Sequence, residues 1–537
     1  MMGIRGVAVL AAVACGTCAC LAADAVEKYL TEPIPDCPDE TYLEFSRTGN
    51  RTHYQAPYGW RLAALERLTD VELAEKKGRC LPRLGELVDA ICAERTWVMP
   101  AHDQELANFN GKGVYIDLGS GMRAAAIARC LRFHGAKLPA GTAARADREL
   151  RRRVFDPYLR LVRGERLEGA VARGSWWFRT GNNWNAVCHS CVVRAAIDRG
   201  IPERDAIIAA ALAAAPFFRD GFTDDGYCSE GMGYWNYGFG YYVRMGLAVR
   251  KATGGRVDFF ADPKWRKVMA YGYGFLLDAK TSPYFADGGG NPDPKLIEMG
   301  REVWPDLVGG KLPLRTLFPD AQVCIMRSAD GGSALSVACK GGHNDEFHNH
   351  NDLGSFALMV DGRVVAGDPG GEEYTQRTFS SRRYESKVLS SYAHPVPVVG
   401  GRLQGTGRKF AAKTVRRAFA DGRDEIAFDL TAGYDVPALK RLVRTFVLDR
   451  SAETVTIRDE FEFSAPTDVQ EVWSAHEQDA DRQPRTVGKP AGAWAERGVR
   501  ETVENPGRPG VCRTVWTTSA PIRKAAFEFR VAAGDFR

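Results

Sequence analysis

The apolar residues of this chain change their period once, near Pro313, and that change limits the folds open to it. Upstream, segments rich in Leu, Ala, Glu and Arg carry apolar residues at helical spacing. The pattern predicts helices over 60–98, interrupted at Gly78, and over 121–133, 144–163, 185–197, 204–217, 234–252 and 264–277. Gly, Pro and Asp/Asn punctuate them. Downstream, short β-rich runs at 323–326, 334–339, 355–360, 363–365, 425–430 and 442–448 alternate with turns such as Asp330-Gly331, Asp361-Gly362 and Asp421-Gly422. Residues 439–463 read as two long antiparallel strands around Asp449-Arg450-Ser451. A multidomain α+β chain follows: helical hairpins over 24–312, then stacked antiparallel sheets over 313–537. No strict short repeat supports a regular solenoid.

A chain of 537 residues exceeds one ordinary domain. With 45% hydrophobic and 26% charged residues it can bury sizeable cores. A net charge of +5, with no continuous run of Lys and Arg, argues against a nucleic-acid binder and tolerates a polyanionic substrate. Arg5, an apolar stretch over 6–23 and Ala22-Ala23 read as a secretory signal, with lipidation at Cys15 the alternative. The expectation is an exported protein of the periplasm or cell envelope with no stable membrane insertion. Ten of the thirteen cysteines lie beyond that segment, and Cys80 with Cys92 is one candidate disulfide. Cys188-His189-Ser190-Cys191 has half the spacing of a zinc site, but flanking valines favour buried thiols.

Residues 341–352 hold His343, His348 and His350, three of the nine histidines, among Asp345, Glu346 and Asp352. Gly367-Asp368-Pro369-Gly370-Gly371 follows. On a strand His348 and His350 would share a face. Imidazole and carboxylate together suit a metal ion or proton transfer near neutral pH. His343 reads as a surface residue and His476 as structural.

Two loops in the helical half add candidates. Trp176, Trp177, Asn182, Asn183, Trp184 and Asn185 combine indoles that can stack on a sugar with amides that can bind its hydroxyls or carboxylate. The competing reading is an N-cap at Asn182 or Asn183, with Trp184 in the core. The second loop, 224–231, precedes Tyr234, Tyr237 and Tyr241, which recur at helical spacing on one face.

Asn182-Asn183-Trp184-Asn185, then Asp225-Gly226…Glu230-Gly231…Tyr234…Tyr237-Gly238, then His348-Asn349-His350-Asn351-Asp352-Leu353-Gly354-Ser355-Phe356, then Asp368-Pro369-Gly370, resembles the heparinase II/III-like polysaccharide lyases in order and spacing. The resemblance implies an N-terminal (α/α) toroid followed by antiparallel β-sheets. It implies β-elimination on a uronic-acid-containing polysaccharide such as a glycosaminoglycan. The uronate carboxylate must be neutralised before the C5 proton leaves, and an acid must protonate the departing O4.

Carried over residue by residue, Asn183 neutralises the carboxylate with His189 as helper. Tyr237 is the acid/base with Tyr234 as fallback, and His348 is a second base or neutraliser. Trp184, Glu230, Arg377 and Arg382 would contact substrate, with Arg383 close by. His350, Asp368 and His394 resemble the ligands of a structural zinc, although Pro395 stands where the family has Asn. Two other classes compete: a toroid glycoside hydrolase using Asp224, Asp225 or Glu230, and a non-catalytic glycan binder.

Overall fold

The computed structural model describes residues 26–103, 105–307, 311–329, 334–479, 481, 486–488, 494–495, 498–533 and 535. Residues 1–23, read above as a secretory signal, with Cys15 among them, and the Asp330-Gly331 turn lie outside the described residues. Helix precedes strand, as the pattern predicts: helix Pro294–Val303 is followed by strand β1, Arg315–Phe318. Packing draws its line elsewhere. One compact unit holds the chain through Gly221 together with Tyr237–Ala261, and the other holds Phe222–Asn236 and Asp262–Arg537.

The first unit is helical. Helix Asn183–Arg199 is buried along most of its length and packs against Leu118–His134, Arg204–Arg219 and Gly240–Thr253. Small residues let the backbones approach: a Cβ on Gly121 would stand 3.2 Å from that of Cys191. The helix predicted over 144–163 is two, Thr142–Leu150 and Asp156–Val162, joined by a π-helical turn at Arg151–Phe155. A second π-helical turn, Trp235–Phe239, interrupts the helix predicted over 234–252. No described helix is long and apolar enough to cross a membrane.

All ten cysteines among the described residues are free thiols. The Cys80–Cys92 pairing fails on geometry. Cys80 caps helix Leu81–Ala93 and Cys92 lies near its far end, so their Cα atoms are about 18 Å apart at 1.5 Å per residue, beyond any disulfide span. Cys188 and Cys191 are buried thiols.

The second unit is built on antiparallel sheets, with strands numbered along the chain. A five-stranded sheet runs β1, β2 (Val323–Arg327), β3 (Leu335–Lys340), β5 (Phe356–Val360), β6 (Arg363–Ala366). Asp361-Gly362 turns β5 into β6 with positive φ at both residues, as the hairpin turn requires. A six-stranded sheet runs β14 (Thr486–Gly488), β17 (Ile522–Ala532), β12 (Thr454–Thr467), β11 (Leu439–Asp449), β10 (Arg423–Asp429), β9 (Lys413–Phe419). A four-stranded sheet orders β15 (Val499–Val503), β16 (Val511–Thr517), β13 (Val469–His476) and β7 (Val398–Val399), while β4 (His343–Asn344) pairs with β8 (Gly407–Ala411). One apolar core joins the sheets, with Val337, Phe356 and Leu358 meeting Phe428, Phe446, Ile457, Trp473 and Phe529. Each such side chain contributes about 1.5–3 kcal/mol by leaving water.

Alternation on β11 also sends Arg444 inward beside Leu442, Phe446 and Leu448. Its Nε donates to Asp459 at 2.9 Å, and its Nη1 donates to the carbonyls of Gly354 at 3.0 Å and Pro395 at 2.6 Å. Glu471 stands 3.4 Å away; burial and the neighbouring Asp459 push its carboxyl well above the usual range. This buried cation ties the sheet to the two loops that carry Ser355 and His394. Arg444→Met should cost about 3–5 kcal/mol by leaving buried acids uncompensated. Urea unfolding measures it, and an unchanged midpoint would refute the role given to Arg444.

Candidate active site

In the second unit, two loops are locked together by backbone. Gly231 has φ +91, and a Cβ there would stand 2.6 Å from the Phe285 carbonyl oxygen and 2.7 Å from that of Gly288. Only glycine fits so close an approach. The Gly288 N–H donates to the Glu230 carbonyl at 3.1 Å and the Gly233 N–H to the Gly288 carbonyl at 2.6 Å. This clasp sets Asp287 beside Glu230 and Tyr234.

Asp287 is the hub of the cluster. Its Oδ2 accepts from His348 Nδ1 at 2.8 Å, Arg383 Nη2 at 2.9 Å and the Tyr374 hydroxyl at 3.1 Å. Its Oδ1 accepts from His350 Nε2 at 2.9 Å. Burial pushes the carboxyl up, but the hydrogen bonds of His348 and His350 and the charges of His350 and Arg383 prevail and hold it well below the usual range. Tyr234 donates to Tyr374 at 2.7 Å, and its ring stacks on His348 at a 4.0 Å centroid distance.

With Nδ1–H committed to Asp287, a neutral His348 carries its lone pair at Nε2. That atom lies 3.4 Å from Glu230. His348 and His350 do not share a strand face. They lie in a turn and loop, and His348 takes φ +55. The left-handed turn lets the rings reach opposite oxygens of one carboxylate. Such a conformation in a non-glycine residue costs about 1–2 kcal/mol and is held here by the Asp287 bond.

His350 leads to a second, deeper group. His350, Asp368 and His394 are all buried, and one donor atom of each lies within 4.8 Å of the others. His394 Nδ1 donates to Asp368 at 2.9 Å. His350 Nδ1 and His394 Nε2 are buried without a hydrogen-bond partner. Two orphaned imidazole nitrogens beside a carboxylate match the donor set of zinc, and the His350 Nε2–H bond to Asp287 is the outer contact that orients such a ligand. The charges of Asp287 and Asp368 overcome burial and raise His350 to about 9.

The other expected substrate residues separate. Arg377 donates from Nη2 to both oxygens of Glu372, at 2.8 Å each, and from Nη1 to the Arg383 carbonyl at 3.3 Å, and exposed Arg382 pairs with Glu385. Arg383, between them in role though not in sequence, reaches Asp287. Asp225 accepts from the Tyr227 N–H in its own loop and from the Asp320 N–H in the turn between β1 and β2, and exposed Asp224 pairs with Lys264. His343 is half-buried in β4 beside Arg408, and half-buried His476 faces Tyr284.

In the first unit, Asn182 caps helix Asn183–Arg199 by accepting from the Trp184 N–H at 3.1 Å. This leaves Asn183 as a buried first-turn residue whose Cβ meets Gly238: a Cβ on that glycine would lie 2.9 Å away. Tyr237, next in sequence to Gly238, sets its ring edgewise on Tyr241 at 5.3 Å. Tyr234 has partners in the second unit, and Tyr237 and Tyr241 pack on each other in the first. The π-helical turn Trp235–Phe239, which contains Tyr237, adds a residue and shifts the helical phase between Tyr234 and Tyr241. Trp184 meets His102 at 4.5 Å and the exposed Trp176 at 5.1 Å.

His189 is enclosed. Tyr158 donates to its Nδ1 at 2.7 Å, and its Nε2–H donates to the Phe178 carbonyl at 3.1 Å. Both nitrogens are engaged in bracing the Trp177-Phe178 segment, so it does not serve as the expected helper to Asn183. Asp287 and Tyr374 escaped the sequence reading. The glycine run after Asp287 marks a tight loop, but nothing local marks its carboxylate as the partner of His348.

By sequence, no family model and no curated protein matches this chain. By fold it is similar to a heparinase III, with a TM-score of 0.64 at 11% identity over 96% of this chain and 89% of that one. The heparan sulfate lyase HepC of Pedobacter heparinus gives a TM-score of 0.59 at 14% identity, over 96% and 88%. The chain has a heparinase-like polysaccharide lyase fold.

Burial lowers His189 to about 4, against about 6.5 in an unfolded chain. Between these values the unfolded state binds more protons, so stability falls as pH drops through the window and is flat above it. The loss should approach about 3 kcal/mol at pH 4. Thermal unfolding across pH 4–7 checks this: His189→Gln should flatten the profile, and an equally steep one would refute it.

Proposed function

We propose that this chain is an exported polysaccharide lyase that cleaves a uronic-acid-containing polysaccharide by β-elimination. The observation that carries the reading is His348, fixed through Nδ1 on buried Asp287 with Nε2 on its other edge, in a chain of heparinase-like fold. In this reading Asn183 neutralises the uronate carboxylate through its amide. Tyr237 and His348 exchange the protons at C5 and O4, and Tyr234 orients His348 by stacking. Trp176 and Trp184 offer apolar faces to a sugar ring. The likeness to a heparinase III and a heparan sulfate lyase supports a glycosaminoglycan-type polymer.

His350, Asp368 and His394 would hold a zinc ion, which when bound supplies a structural brace beneath His348. The chain's own residues then keep His348 in register, through Asp287 and the left-handed turn.

Incubation with heparan, chondroitin, alginate and ulvan-type polymers tests the activity. A 4,5-unsaturated uronate absorbing in the ultraviolet is expected from at least one. Shortened chains without that absorbance would establish a hydrolase, and unshortened chains a binder. Tyr237→Phe and His348→Ala should each lower kcat by about 10²-fold or more, with Tyr234→Phe milder. A dead Tyr234→Phe beside an active Tyr237→Phe would exchange their roles.

Metal analysis of the purified protein should find about one zinc per chain. Asp368→Asn should lose the metal and lower the melting temperature by at least about 4 °C. A metal-free protein of unchanged stability would remove the zinc assignment.

A further inference from the structure

The first unit contains a cavity of about 210 Å3 that the proposed chemistry does not use. Glu66, Asp70, Arg129, Arg194 and Tyr241 line it. Its position follows from helix geometry. Asn183, Val187, Cys191 and Arg194 fall on one face of helix Asn183–Arg199, since eleven residues complete just over three turns at about 3.6 residues per turn. Arg194 therefore lies about 16 Å along the axis from Asn183. Between the two, Val187, Cys191, Ala125 and Tyr241, with Met122 and Tyr237 packed on them, form an apolar plug.

The charges of the cavity are unevenly spent. Arg129 is paired with Asp70 at 2.5 Å. Arg194 makes no side-chain hydrogen bond or ion pair to another described residue, and neither does Glu66, although both line the cavity. Outside the lining, Arg244 lies over the Tyr241 ring, 5.5 Å from its centroid. Burial pushes the Glu66 carboxyl up, against the pull of Arg194, Arg129 and Arg244. The cavity lining thus sets two guanidiniums beside two acids, with Arg129 and Asp70 spent on each other and Arg194 and Glu66 left to a ligand beside the Tyr241 ring.

We propose that this cavity is a second saccharide site, which binds one acidic sugar residue with its carboxylate on Arg194 and its hydroxyls on Glu66. A guanidinium matches a carboxylate fork to fork, and a carboxyl accepts from or donates to hydroxyls. The volume lies below the ~300–1,000 Å3 of drug-sized pockets, which suits one ring and not a chain. The choice of a sugar acid over other carboxylates rests on the proposed function; the cavity and its charges stand without it.

Calorimetric titration of the full chain with glucuronate, glucose and acetate tests the proposal. Glucuronate should bind, and Arg194→Ala should weaken that binding at least tenfold while polymer turnover stays unchanged. Arg194→Lys, which keeps the charge and loses the fork, should fall between and guards against misfolding of the alanine variant. Equal binding by glucose would overturn the role of the anion, and equal binding by acetate that of the ring. Unchanged glucuronate affinity in both Arg194 variants would overturn the site. Glucuronate binding that depends on Arg194, in a protein that cleaves no polymer, would keep this site and sink the lyase reading.

Discussion

One buried carboxylate organises the second unit's chemistry. Asp287 takes hydrogen bonds from two imidazoles, a guanidinium and a phenol. A lone carboxylate at that depth would be neutralised. Four donors keep it ionised, and in return it sets the tautomer of His348, the tilt of His350 and the reach of Arg383. The glycine clasp at Gly231 and Gly288 is what permits this, because it brings the Asp287 loop to the strand of chain bearing Glu230 and Tyr234. The same aspartate holds two histidines that are two residues apart, His348 on one oxygen and His350 on the other.

The first unit works by rigidity. Helix Asn183–Arg199 is capped by Asn182, braced through His189 and buried against three neighbours. Asn183 is thereby held without using its own amide as the cap. The inner face of that helix then runs from an amide, over an apolar plug, to the Arg194 guanidinium, so one helix presents two different chemistries along its length.

Much of this was legible in the sequence because periodicity is a local property. The switch from helical to alternating pattern, the strands at 323–326 and 442–448, and the Asp361-Gly362 hairpin need only neighbours along the chain. The unread parts depend on contacts between distant residues. Arg377, Arg382 and Arg383 are equivalent as letters; which one reaches Asp287 is decided by where Glu372 and Glu385 lie. His348 and His350 look like a strand pair until the left-handed turn at His348 separates them. The π-helical turns carry no composition signal, so the tyrosine stripe looked continuous. Strands β13 to β17 went unread beyond a general β texture, because their pairing partners are spread across the unit.

Arg444 grips Pro395 through its carbonyl oxygen. A main-chain carbonyl is the one group that every amino acid supplies alike, proline included. The tether therefore does not depend on the side chain after His394, and it is compatible with a residue that lacks an amide hydrogen. The anchor is written in the buried arginine and left out of the position it anchors, so comparison of side chains at 395 alone would mistake a retained tether for a lost one.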